Sequence, residues 1–195
     1  VSDGSVKSEY AALVRTAATG SREAMERLLM KAQEGAYRFS LLVCGHPEDA
    51  EDVMQEALLK TYQHVRQISE PESFRTWLYA TVRNACLMKR RRHVGEPAHF
   101  VSVDEPDRGG SGQPTFDVAD RSPRADQRLI EDWMGRRLRV ALRALPPSYR
   151  MIVVMREMEG LSTRDVATIV GISEANVKTR LHRARLMLRR ELEHA

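Results

Sequence analysis

Cysteine, aromatic residues and long apolar runs are all scarce in this chain, and each shortage removes a class of protein. Two cysteines, Cys44 and Cys86, in 195 residues are too few for a disulfide framework and lack Cys-x-x-Cys spacing, so reduced, buried thiols are expected. Cys44 and His46 form a Cys-x-His pair, but one such pair supplies fewer ligands than a structural zinc site takes, and no metal or other cofactor is expected. Aromatic residues make up 6% of the chain, which argues against a sheet-rich core. No stretch approaches the roughly 20 apolar residues that span a bilayer, and the first residues lack the apolar core of a signal peptide. Direct membrane insertion is therefore not expected, and the cytoplasm is the default compartment. A P-loop, a nucleophile beside a base and paired catalytic carboxylates are also missing, so the chain is not expected to be an enzyme.

What is plentiful suits helices. Charged residues make up 30% of the chain, and Ala, Leu, Met, Arg and Glu are frequent. The net charge of +4 is modest, but its distribution is uneven: seven Lys or Arg face two Glu from Arg66 to Gly95, and seven face four acids from Leu161 to the end. Two separate basic patches suit two contacts with one polyanion. Between them, from Gly95 to about Ala125, Gly, Pro, Ser and Asp replace helical periodicity, and six acids face three Arg. This composition describes an extended acidic linker. The chain is thus expected to be all-α, with two small helical domains over residues 1–94 and 126–195 joined by a flexible linker over 95–125.

The stretch GLSTRDVATIVGISEANVKTRLHRARLMLRR, from Gly160 to Arg190, is the most informative. Leu161, Val166, Ala167, Ile169 and Val170 recur at helical spacing and stop at Gly171, where a tight turn needs positive φ. Ser173 can cap a second helix, with Glu174 at the positive end of its dipole. Val177, Leu181, Ala184 and Leu188 then form one apolar stripe, leaving Lys178, Arg180, His182, Arg183 and Arg185 on other faces. Two short helices joined by a Gly-containing turn, the second cationic, form a helix-turn-helix of the kind that enters the DNA major groove.

The rest of the chain supplies more helices. Residues 1–7 are polar and expected to fray. Tyr10, Leu13, Val14 and Ala17 mark a short helix ending at Gly20. Ser21 can cap the next, which runs to about Cys44, and Pro47 opens a third over Glu48–Val65. The third helix is unusually acidic at its start, with Glu48, Asp49, Glu51, Asp52 and Glu56. Complementing the helix dipole explains about half of these acids, and a basic partner would explain the remainder. A helix from Phe74 turns Trp77, Leu78, Thr81, Val82 and Ala85 inward and ends in Lys89, Arg90, Arg91 and Arg92. Its Phe74, Trp77 and Tyr79 offer stacking faces for bases, and Trp77 and Tyr79 are equally readable as core residues. After Pro123, Leu129, Ile130, Trp133, Met134, Leu138, Ala141, Leu142 and Leu145 mark a helix stopped by Pro146-Pro147, and Ser148 can cap another from about Tyr149 to Met158.

In this order the strings DAEDVMQEALLKTY, FRTWLYATVRNACLMKRRR, LRALPPSYRMIVVMREMEGLSTRDVATIVGIS and NVKTRLHRARLMLRREL resemble the successive signatures of bacterial extracytoplasmic-function sigma factors, across nearly the whole chain except its tail and linker. The resemblance implies that the acidic helix, through Asp49, Glu51, Asp52, Gln55 and Glu56, grips a coiled coil on the clamp of core RNA polymerase. It implies that the helix matching Thr76 to Arg92 captures and helps melt the promoter −10 element, with Arg75, Arg83, Asn84, Lys89, Arg90, Arg91 and Arg92 as candidates and Ser69 to Ser73 near an extruded base. It implies that the helix from Ser173 reads the −35 element as duplex through Ser173, Asn176, Lys178, Thr179, His182 and Arg183, with Arg164 on a phosphate. The acidic linker, including Asp104, Glu105 and Asp107, would thread the polymerase cleft, and an anti-sigma factor is an expected partner. One position departs from the pattern: Met88 stands where the family often has an acidic residue. The alternative is an autonomous helix-turn-helix regulator, which would need a dimer interface and would leave the acidic helix superfluous.

Overall fold

The structure, a computed structural model, describes residues 3–44, 46–94 and 135–194. The linker over 95–125 and the start of the following helix, including Leu129, Ile130, Trp133 and Met134, lie outside them. The described residues are helical, in two regions.

Helix α1 (Asp3–Ala18) begins earlier than the polar N-terminal residues suggest. Val6 packs partly buried against the core ahead of Tyr10, Val14 and Ala17, so the apolar stripe gains one more turn and the helix with it. Gly20, at φ +98, reverses the chain. Ser21 then accepts a hydrogen bond from the Ala24 N–H at 3.2 Å and starts α2 (Arg22–Val43). Pro47 occupies the first turn of α3 (Pro47–His64), where its missing N–H leaves nothing unpaired. Two 3₁₀ turns, Val65–Gln67 and Pro71–Ser73, lead into α4 (Phe74–Val94).

The second region starts with α5 (Arg136–Ala144) and α6 (Pro147–Val153). Ser148 does not cap α6. Pro147 takes the first helical position and Pro146 the capping one, because their fixed φ already suits a helix start. The chain continues through a wide π turn, Val154–Met158, to Glu159 and Gly160, the latter at φ +64. In α7 (Thr163–Val170) the Ser162 hydroxyl accepts from the Asp165 N–H at 3.0 Å and donates to the Asp165 carboxylate at 2.6 Å. Gly171, at φ +78, makes the turn, and Ser173 caps α8 (Glu174–His194) by accepting from the Asn176 N–H at 3.2 Å.

The two helical regions share one core. Leu28, Phe39, Leu78 and Val82 belong to the same buried cluster as Ile152, Met155, Leu161, Val166 and Ile169, and α4 packs on α7 while α2 packs on α6. Phe74, expected as a stacking face for bases, is instead core, and the open choice at Tyr79 also resolves inward. Phe74 and Tyr79 are buried, ring to ring with Tyr10 at 5.6 Å and with Phe39 at 5.4 Å, while Trp77 is half-buried.

The expected free thiols are instead joined. Cys44, at the end of α2, and Cys86, on α4, form a disulfide with Cα atoms 4.9 Å apart. Spacing in sequence could not reveal this, because the two residues meet only where α4 crosses the end of α2. Among the described residues no helix is long and apolar enough to cross a membrane.

Candidate nucleic-acid and partner interfaces

The acidic helix presents a graded face. Asp52, Gln55 and Glu56 are exposed, Glu51 is half-buried and Asp49 is buried. Lys60 donates to Glu56 at 2.6 Å. Lys89, expected at the −10 element, reaches across from α4 and donates to Asp52 at 2.7 Å, with Asp49 at 3.7 Å. That carboxylate pair holds the ammonium above its ordinary pKa, the hydrogen bond that Lys89 donates to Asp52 contributing most. Leu59 and Tyr62, 55% and 62% exposed, lie one and nearly two turns beyond Glu56 on the same face. The sequence reading singled out neither residue. Their signal was an apolar residue, Leu59, beyond what the inward stripe required.

The cationic α4 is used differently along its length. Arg75 is only 6% exposed, and its guanidinium donates to the Glu159 backbone carbonyl. Thr76 donates to the Asp165 carboxylate at 3.0 Å, and Arg83 reaches both Asn84, at 3.0 Å, and the Val170 carbonyl, at 3.5 Å. Asn84 is exposed and Arg90 half-buried. Burial, reinforced by Arg90 and Arg143, pushes the Arg150 guanidinium down to about 10, so positive groups from both regions lie near one another there. The helical backbone carries Arg91 and Arg92, but their side chains lie outside the described residues.

Glu159, just past the π turn, is the polar centre between the regions. Its carboxylate accepts two hydrogen bonds from Arg38 on α2, at 2.7 and 3.0 Å, and one from the Tyr79 hydroxyl on α4. Burial first and the adjacent carboxylate second raise the Tyr79 phenol well above its usual pKa. The same carboxylate raises the pKa of Arg38 through its hydrogen bond. Neither Arg38 nor Glu159 was singled out from the sequence, where Glu159 looks like one more acid at a helix end.

On α8 the cations stand outward. Lys178, Thr179, His182 and Arg183 are exposed, as are Ser173 and, on α7, Arg164, while Asn176 is half-buried. Val177, Leu181 and Ala184 are buried and fix the helix from behind. A pair between Arg185 and Glu157, at 2.6 Å, ties α8 to the π turn. The arrangement can offer a rigid helix with a polar face to a groove wide enough to admit it.

Comparison with known proteins agrees in extent and order. Residues 26–95 match the family described as Sigma-70 region 2, and residues 135–188 match Sigma-70, region 4. The ECF RNA polymerase sigma factor SigL of Mycobacterium tuberculosis is 33% identical over 185 residues, covering 93% of this chain and 96% of that protein. The ECF RNA polymerase sigma factor SigE of Mycolicibacterium smegmatis is 31% identical over 176 residues, covering 88% of this chain; the chain spans 64% of SigE's length. Among solved structures, CnrH in complex with the cytosolic domain of CnrY aligns with TM-score 0.61 at 21% identity, covering 95% of this chain and 98% of that one, a likeness of fold.

Proposed function

The chain belongs to the extracytoplasmic-function RNA polymerase sigma factors, and from that membership we propose that it binds core RNA polymerase, directs it to specific promoters and helps melt the −10 element without being an enzyme itself. The observation that carries this reading is the separation of surfaces on one short chain. An acidic face with apolar Leu59 and Tyr62 lies on α3, and an outward cationic face lies on α8.

In this reading Glu51, Asp52, Gln55 and Glu56 meet a basic polymerase element, buried Asp49 adds its charge from behind them, and Leu59 and Tyr62 supply the apolar centre that anchors such contacts. Lys178, Thr179, His182 and Arg183 face base edges of the −35 duplex, while Ser173, Asn176 and Arg164 position its backbone. On α4, Asn84 and the cations Arg83 to Arg92 track the −10 strand, and Arg75 joins them only after leaving Glu159. The SigL and SigE names support polymerase as a partner, and the family membership makes an anti-sigma factor a further one.

Binding of the purified chain to bacterial core polymerase, followed by promoter-dependent run-off transcription, tests the proposal. Tight core binding with new, start-site-specific transcripts is the expected result. Sequence-specific duplex binding without core binding would instead identify an autonomous regulator.

A further inference from the structure

We propose that Glu159 is the bolt of an intramolecular latch that closes the second helical region over the DNA-facing side of α4 in the free protein, and that −10 capture requires its release. This rests on the sigma-factor reading for what α4 binds. The latch itself rests on geometry.

Three side chains from two helices of the first region converge on this one residue of the second. Arg38 grips the carboxylate with two parallel hydrogen bonds, Tyr79 donates to one of its oxygens, and Arg75 takes its backbone carbonyl. Gly35, on α2, makes the approach possible: a Cβ there would stand 2.7 Å from the Tyr79 hydroxyl oxygen and 3.6 Å from Glu159 Oε2. A buried, fully paired carboxylate is a two-state device, since it is tolerated when every partner is present and costly when one is missing.

The closed seam is selective in what it hides. Arg75, Thr76 and Arg83 of α4 direct hydrogen bonds to Glu159, Asp165 and Val170, all in the second region. Each is a donor that a phosphate or base would otherwise receive. Lys178, Thr179, His182 and Arg183 remain exposed, as do Asp52, Gln55 and Glu56. The closed protein can therefore meet polymerase and a −35 duplex while its −10 helix stays covered. Opening transfers Arg75 and Arg83 from protein acceptors to nucleic-acid ones.

The test uses the full chain and three variants: Glu159→Gln, Arg38→Met and Gly35→Ala. Small-angle scattering of the free proteins reads closure, circular dichroism checks folding, and the rate of open-complex formation with core polymerase reads release. Expected are a compact wild type, a radius of gyration larger by several ångström in all three variants, and open complexes forming several-fold faster at unchanged core affinity. If Glu159→Gln fails to fold, Arg38→Met and Gly35→Ala decide, because both leave the carboxylate in place. Superimposable scattering curves for wild type and folded variants overturn the latch. Expanded variants that open promoters no faster than wild type overturn its inhibitory role alone. No transcription from wild type or any variant overturns the sigma-factor reading and the inhibitory role together, while the scattering still reports whether Glu159 closes the seam.

Discussion

Helices α4 and α8 are both cationic, both amphipathic and both expected to touch promoter DNA, yet the fold treats them oppositely. On α8 the apolar stripe of Val177, Leu181 and Ala184 does the packing, and the cations are left outward. On α4 the cations share the packing: Arg75 is buried, Arg83 reaches the second region, and Lys89 is paired with Asp52. The difference teaches that basic residues on a helix are not by themselves a free binding surface. A guanidinium with a carbonyl in reach serves structure first.

The largest expected effect concerns how α4 is anchored. The Cys44–Cys86 bridge closes a separation of 42 residues and pins α4 to the end of α2, and α8 has no counterpart. Replacing both cysteines by serine should lower stability by about 2 to 4 kcal/mol. Denaturant unfolding of the double variant against the oxidised wild type checks this, with thiol counting to establish that the bridge is formed. A loss near zero would place the anchoring of α4 in its apolar contacts instead.

Next in size is a paired substitution that addresses the contrast directly. Arg75→Ala removes a buried donor and leaves the Glu159 carbonyl in need of another, so it should cost about 1 to 3 kcal/mol of stability. Arg183→Ala, at an exposed position, should change stability by about 0.5 kcal/mol or less, while weakening recognition of a −35 duplex by about 1 to 3 kcal/mol if it reads a base. Denaturation midpoints and duplex affinities of the two variants give four numbers. Equal stability losses would erase the distinction between the helices, and equal losses on scrambled −35 sequence would make Arg183 a phosphate contact.

Much of the fold was legible in the sequence because its signals are local. The caps at Ser21 and Ser173, the stops at Gly20 and Gly171 and the helix start at Pro47 each depend on a few neighbouring residues, and each lies where its chemistry indicates. The π turn at Val154–Met158 was not legible, since nothing in its composition separates it from α-helix. Neither was the node at Glu159, whose partner Arg38 lies 121 residues away. The disulfide failed for the same reason: counting and spacing describe cysteines along a chain, whereas pairing depends on how helices cross. Arg75 shows the corresponding limit for the candidate site. Residue type predicted a cation for DNA, and only the packing of α4 against the second region turns it inward.

A smaller effect is expected at Lys89. Its pair with Asp52 is exposed on the acid's side, and exposed pairs contribute about 1 kcal/mol or less. Lys89→Ala should leave stability nearly unchanged but release Asp52 to a polymerase partner and remove a cation from α4. Core affinity that rises while −10 capture falls would show that this pair couples the two surfaces. Changes of the same sign in both would break that coupling.

The last contrast is one of pH. Tyr79 is held protonated by burial and by the adjacent Glu159 carboxylate, and Tyr10 is raised mainly by burial, whereas Val177, Leu181 and Ala184, which fix α8 from behind, do not titrate. Unfolded tyrosine ionises near pH 10.0, the ordinary value from which both are raised. Above that pH the unfolded chain has released protons that the folded chain keeps, so stability falls as pH rises; below it both states are protonated and the contribution is fully present. The Tyr79 hydroxyl donates to Glu159, so its ionisation would set two negative oxygens against each other inside the seam. Alkaline titration followed by tyrosinate absorbance should show Tyr10 and Tyr79 ionising last, with the two helical regions separating in scattering before α8 loses its helix. In Tyr79→Phe the late step should shrink by one phenol, and the separation should shift in pH. Regions that separate at the same pH in Tyr79→Phe and wild type would remove Tyr79 from the closure and leave Arg38 as the partner that holds Glu159.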